Sequence, residues 1–201
     1  MKKVHKVLLA VLLLIIVVLL YMSFVVNPVV FNYGYADVEM MTVKSINKGI
    51  SEIMNINSYK EVTDIRRDKD GKILSINVDM VGLNFIANEI AGKTQQNLDT
   101  NAKNGINVPI GTFSGIPLFV GKGADIKLKV NPMGSINCHF DSSFVSAGIN
   151  QTRHRIILLV NATVNLVLPL YTKKMDISVE MFFSESIIIG EVPQFYLSNI
   201  N

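Results

Sequence analysis

Ser146–Leu168 reads SAGINQTRHRIILLVNATVNLVL, and its second half alternates without a break. Ile156, Leu158, Val160, Ala162, Val164, Leu166 and Leu168 fall on one side; Ile157, Leu159, Asn161, Thr163, Asn165 and Val167 fall on the other. A period of two marks a β-strand with one fully buried face, and the opposite face turns polar after Leu159. The run is too long for an edge strand and is predicted to be central in its sheet. Just ahead of it stand Asn150, Gln151, Thr152, Arg153, His154 and Arg155, the candidate site.

Alternation continues on both sides of this strand. Upstream, Ile126, Leu128 and Val130 alternate with lysines, Asn131-Pro132-Met133-Gly134 reads as a turn, and Ile136, Cys138 and Phe140 alternate with Asn137, His139 and Asp141. Downstream, Pro169–Lys174 turns the chain. Met175, Ile177, Val179, Met181 and Phe183 then alternate with Asp176, Ser178, Glu180 and Phe182, and Ile187–Val192 follows, stopped by Pro193. Consecutive strands with short turns imply an antiparallel meander. Earlier, Glu61–Arg67 and Lys72–Met80 flank Asp68-Lys69-Asp70-Gly71 and read as a hairpin. Asp64, Asp68 and Asp70 lack the ligand spacing of a calcium loop, so a solvated turn is expected there.

Two stretches change period. In Ala36–Met54, the residues Ala36, Met40, Val43, Asn47, Ile50 and Met54 recur at spacings of four and three, with Val38, Ile46 and Ile53 alongside. This predicts an amphipathic helix whose Met-rich stripe faces the core. A second helix is expected over Leu83–Ala102, with Leu83, Ile86, Ala87, Ile90, Thr94, Asn97 and Leu98 on its inner face, its polar outer half projecting and Gly105 placed to end it. The fold class is α+β: an N-terminal transmembrane helix, then one domain with an antiparallel sheet, a meander, covered by two helices. Between helix and sheet, VPIGTFSGIPLFVGKG at 108–123 is dense in Gly and Pro but has no phosphate-binding pattern. Its apolar residues are expected to pack on the domain, on the membrane or on a partner.

The N-terminus divides into a cytoplasmic tail (1–6), an uncharged apolar run (7–26), an aromatic juxtamembrane segment (27–35) interrupted by Pro28 and Gly34, and an extracytoplasmic domain (36–201). A helix of about 20 residues spans the hydrocarbon core. A cleaved signal peptide is the competing reading, but the run is long for one and Val25-Val26-Asn27-Pro28 is a poor cleavage site. Lys2, Lys3 and Lys6 precede the run and the next cation is Lys44, which puts the N-terminus in the cytoplasm. The chain's net charge of +3 comes from that tail, so the outer domain is neutral. Neutrality, no Trp and no basic run argue against nucleic acid as a partner. Cys138 is the only cysteine and has no internal disulfide partner; its place in the alternation reads as a small core hydrophobe.

With His5 across the membrane from His139 and His154, no multi-histidine metal site is expected, and no cofactor motif is present. Three readings of the cluster at 150–155 stand side by side. His154 beside Thr152 could be a general base, though no acid in the local sequence orients it. The cluster could be a polar network that fixes the loop. Arg153 and Arg155 could hold a carboxylate of a partner or of cell-wall polymer.

SAGINQTRHRI (146–156), PIGTFSGIPLFVGKG (109–123) and IIIGEVPQFYL (187–197), in that order behind a single anchor, resemble the YunB sporulation protein family. The resemblance implies a role in spore envelope or coat assembly and in permeability to germinants. It implies a bitopic protein of the mother-cell or outer forespore membrane, with protein partners in the spore envelope and no enzymatic activity. It brings no catalytic residues to carry over. The reading is a scaffold or interaction domain. The alternatives are a domain that assembles into homo-oligomers or rings, and an enzyme acting on cell wall.

Overall fold

The computed structural model describes residues 2–56, 62–69, 71, 73–132, 136–148 and 151–189. Helix α1 (Lys2–Tyr21) passes through a π-turn (Met22–Val26) into α2 (Asn27–Ile56). Pro28 does not break the helix. A proline ring collides with the carbonyl four residues back, and here the preceding turn is widened, with the Asn27 N–H bonded to the Met22 carbonyl. Widened turns are a recognised way for a helix to absorb such an insult. Gly34 stays helical as well. A Cβ there would sit 2.7 Å from Ile106 Cδ1 and 3.2 Å from Leu166 Cδ2, so it is a point of close approach rather than an interruption.

The chain falls into two compact units. The first comprises Met1–Ser45, Asn97–Gly134 and Thr163–Ile177. It holds the N-terminal helix as far as Ser45 and the hairpin of β3 (Ile106–Pro109) and β4 (Asp125–Leu128), joined through two 3-10 turns, Ile110–Ser114 and Pro117–Phe119. It also holds β5 (Val130–Pro132), which pairs antiparallel with Val164–Leu166. The expected turn at Asn131–Gly134 is therefore strand as far as Pro132; Met133 and Gly134 lie outside the described residues. Its core includes Val30, Val38, Val108, Leu128, Val130, Val164 and Leu166.

The second unit comprises Ile46–Gln96, Ser135–Ala162 and Ser178–Asn201. Here β1 (Thr63–Arg67) pairs antiparallel with β2 (Ile73–Val78), and the Gly71 N–H closes the turn on the Asp68 carbonyl at 3.1 Å. Helix α3 (Met80–Ala102) begins where strand was expected. Asp79 explains why: its Oδ1 accepts from the N–H groups of Val81 (3.1 Å) and Gly82 (3.0 Å), an N-cap that stops the strand and starts the helix. Strand β6 (Asn137–Ser146) pairs with β7 (Gln151–Val167) in antiparallel register from Asn137↔Asn161 to Ser146↔Thr152. Ile50, Leu83, Ile90, Ile156, Leu158 and Val160 are buried in this unit.

Strand β8 (Thr172–Ile189) also pairs with β7, which makes β7 the central strand of a four-stranded antiparallel sheet. The sequence separated Met175–Phe183 from Ile187–Val192; the structure runs one strand to Ile189, and 190–192 and Pro193 lie outside the described residues. The architecture is α+β, with a long apolar N-terminal helix and an antiparallel sheet.

The inner face of α3 is the expected one, with Leu83, Ala87, Ile90, Thr94 and Leu98 buried, whereas the α2 stripe is partly rotated from its expected face. On α2 the buried residues are Asn27, Val30, Gly34, Val38, Thr42, Ser45, Ile46, Gly49, Ile50 and Ile53, while Ala36, Met40 and Asn47 are exposed. Small residues take the inner positions because other chain segments pack against them: a Cβ on Gly49 would strike Thr94 at its hydroxyl and its backbone nitrogen. Thr42 and Ser45 turn their hydroxyls back onto the Val38 and Met41 carbonyls, which makes them tolerable in a buried face. The polar end of α3 does not project either. Thr94, Leu98 and Ala102 are buried, and Asn101 Nδ2 donates to Ser45 Oγ at 2.8 Å. Gly105, at φ 63°, ends that segment in the left-handed region, where a Cβ would strike the Leu128 carbonyl.

Candidate functional site

Strand alternation splits the candidate residues between two faces. Even-numbered β7 side chains point into the core and odd-numbered ones lie half-buried on the other face. His154 is thus on the sealed side, 2% exposed, while Arg153 and Arg155 are on the opposite side. Gln151 is exposed and Thr152 half-buried, each part of β7 itself, and Asn150 lies outside the described residues.

On the arginine face, Arg155 Nε donates to Glu185 Oε2 at 2.7 Å. Arg153 Nε lies 3.7 Å from Glu185 Oε1, too far for a hydrogen bond. The Arg155 guanidinium also stands 5.3 Å from the centre of the exposed Phe182 ring, within cation–π range. The hydrogen bond from Arg155, helped by the charges of Arg153 and Arg155, holds the Glu185 carboxyl below its ordinary range.

Sequence reasoning missed Glu185. Strict alternation assigns it to the face of Met175 and Phe183, away from the arginines. The exposure pattern of β8 slips by one residue at Phe183–Ser184, both half-buried, and Glu185 emerges on the Phe182 side. A lone acid between apolar runs in FFSESIII was the available signal; the slip itself leaves no mark in the sequence.

On the sealed face, His154 stacks on Phe144 with ring centres 4.4 Å apart and planes at 18°. Its Nε2 lies 2.9 Å from Ser142 Oγ, and Phe144 is its directly opposed residue on β6. Burial pushes the imidazole pKa below its usual 6.5, so the ring is neutral at pH 7 and can accept the serine proton in a hydrogen bond. A serine and a neutral imidazole are two parts of a nucleophilic site, but the described contacts of His154 are this hydroxyl and an aromatic ring, with no carboxylate to orient it. Cys138 lies opposite Val160, and burial pushes its thiol pKa up to about 11. Among the described residues, no group of three or more His, Cys, Asp or Glu comes together to hold a metal.

The family model described as Sporulation protein YunB (Spo_YunB) matches residues 105–195, the region that holds β3 through β8. Sporulation protein YunB of Bacillus subtilis (strain 168) is 22% identical to the chain over 182 residues, which covers 85% of this chain and 72% of that protein. No solved structure matches the chain. The three separated sequence motifs, the family match and the curated relative agree in what the chain is similar to, the sporulation protein YunB.

Proposed function

We propose that the chain is a single-pass, membrane-anchored sporulation protein whose sheet domain is a non-enzymatic scaffold or interaction module, needed for normal spore envelope structure and germinant permeability. The observation that carries this reading is the separation of the polar groups. The arginines are engaged with Glu185 on the open face, while His154 meets Ser142 on the sealed one, so Glu185 lies on the opposite face from that base and hydroxyl. A face that mixes paired charges with exposed apolar rings suits recognition of another protein's surface. The N-terminus is assigned to the cytoplasm from Lys2, Lys3 and Lys6 ahead of an apolar helix long enough to span a membrane. The membrane is that of the mother cell or the outer forespore membrane.

The test is genetic and biochemical together. Arg155→Ala and Phe182→Ala should impair localisation or germinant response while the protein accumulates normally. His154→Gln should leave spores normal wherever the protein reaches parental levels, because an amide fills the site but cannot cycle a proton. Accumulation of stable His154→Gln protein with defective spores would favour the enzyme reading. A second reading, assembly into homo-oligomers or rings, is favoured by one observation: Phe144, Val145, Phe182, Ile187 and Ile189 all stay exposed in the second unit. Crosslinking in sporulating cells separates it from binding to other envelope proteins.

A further inference from the structure

The apolar segment between β3 and β4 has its own location and its own chemistry. Ile110, Ile116, Leu118 and Phe119 are 54%, 46%, 69% and 46% exposed, an apolar concentration that water does not favour. Lys122 is the only charged residue from Ile106 to Ala124.

The segment belongs to the same unit as the N-terminal helix and rests against it. Tyr21 donates its hydroxyl proton to the Ser114 carbonyl at 2.6 Å. Gly115 lies so close that a Cβ would stand 2.7 Å from Val25 Cγ1, and a Cβ on Gly121 would meet the Tyr33 ring at 3.9 Å. Tyr21 and Val25 belong to the last turns of the apolar run 7–26, within about 8 Å of its end at 1.5 Å per residue. That is the depth at which a membrane-surface element seats its apolar face, about 5–10 Å into the headgroup and acyl boundary.

The backbone is suited to that environment. Irregular chain is costly near hydrocarbon unless its polar groups are satisfied internally. Here Ile110 and Gly111 donate to the Ala124 and Lys122 carbonyls, Phe119 and Val120 to those of Ile116 and Pro117, and Gly121 to Thr112 Oγ1. Ser114 Oγ closes onto the Gly111 carbonyl at 2.7 Å. The turns are thus held with Leu118 and Phe119 exposed, and the exposed Lys122 that follows them carries an ammonium on a long stem that can reach lipid phosphate.

We infer that Ile110–Lys122 is a second membrane contact, an interfacial wedge that seats in the leaflet beside the outer end of the spanning helix. This rests on the anchor reading above. The occupant is lipid rather than a protein because the wedge is continuous with the spanning helix at the level of its last turns.

The chain has no tryptophan, so one introduced tryptophan reports alone. The test uses the full chain reconstituted into phosphatidylcholine–phosphatidylglycerol vesicles with lipids brominated at shallow or deep acyl positions. Leu118→Trp should emit blue-shifted light and lose most of it to shallow bromines and less to deep ones. Leu13→Trp, in the middle of the apolar run, reports the anchor separately and should be quenched by deep bromines. Quenching of Leu13→Trp with an unquenched, red-shifted Leu118→Trp would overturn the wedge and leave the anchor standing. Blue-shifted but unquenched Leu118→Trp would mean that protein covers the segment, and would overturn it too. If Leu13→Trp escapes quenching, the anchor reading fails and the wedge with it.

Discussion

The two faces of β7 share one backbone and differ in almost everything else. Ile156, Leu158, Val160, Val164 and Leu166 are fully buried on the even face. The odd face is half open, and its side chains pair laterally: Ser178 Oγ with Asn161 at 2.5 Å, Thr163 Oγ1 with Asp176 at 2.7 Å, and Arg155 with Glu185. The sealed face therefore sets whether the sheet forms, whereas the open face is free to vary in charge and to meet other molecules. His154 is the exception that carries a titratable group onto the sealed side.

The largest effect should come from putting charge on each face in turn. Val160→Asp buries an unpaired carboxylate and should cost several kcal/mol, on the order of 3–5, enough to prevent folding. Leu159→Asp, one residue away on the half-exposed face, should cost about 1 kcal/mol. Thermal unfolding of the detergent-solubilised chain checks both, and equal losses would abolish the distinction between faces.

The next expectation is a pH dependence. His154 has a folded-state pKa below the ordinary 6.5 because it is buried. Its contribution is complete above pH 6.5 and shrinks as pH falls through the folded value, because the unfolded state takes up the proton first. His154→Gln should flatten the stability curve just below pH 6.5. Glu185 acts in a separate, more acidic window: its pKa is held below 4.5, so its contribution is present above that pH and fades beneath it. Glu185→Gln should leave the His154 slope intact. A His154→Gln chain with an unchanged slope would show that the ring is not sealed.

Smaller still is the ion pair itself. With side chains about a third exposed on either side, Arg155→Ala should cost under about 1 kcal/mol, and Arg153→Ala less, because its nitrogen stands beyond hydrogen-bond reach. A double-mutant cycle with Glu185→Ala measures the coupling, and a value well above that would make the pair structural. The smallest effect is chemical. With its thiol pKa pushed to about 11, Cys138 should react slowly with disulfide reagents at pH 8 in the folded chain and quickly in denaturant. Fast reaction in both would place Cys138 outside the sealed layer.

The sheet was legible because its signal is strictly local: alternation in 156–168 reports burial residue by residue, and the pairing of β6 and β8 with β7 follows from short connections. The inner face of α2 was less so. Met40 and Ala36 resemble core residues by hydropathy, yet the inner positions go to Gly34, Thr42, Ser45 and Gly49, because close approach rewards small size over apolarity. Asp79 was legible in type, as a capping residue, but its neighbours alternated and masked the boundary. At the candidate site, the even and odd positions of His154 and the arginines were already implied by the strand, whereas their partner Glu185 depended on a slip in β8 that no residue pattern announces.

The π-turn at Met22–Val26 has a rotational consequence. Each residue of an α-helix advances about 100° around the axis, so deleting one residue here would rewind the turn to ordinary pitch and twist α2 by about that angle against α1. Val30, Gly34 and Val38 would then face away from their neighbours while the apolar run kept its bearing. Since the helix is otherwise continuous from Lys3 to Met54, there is no swivel to take up the error. The azimuth of what packs on Val30, Gly34 and Val38, measured from the anchor, is therefore stored in a single peptide unit.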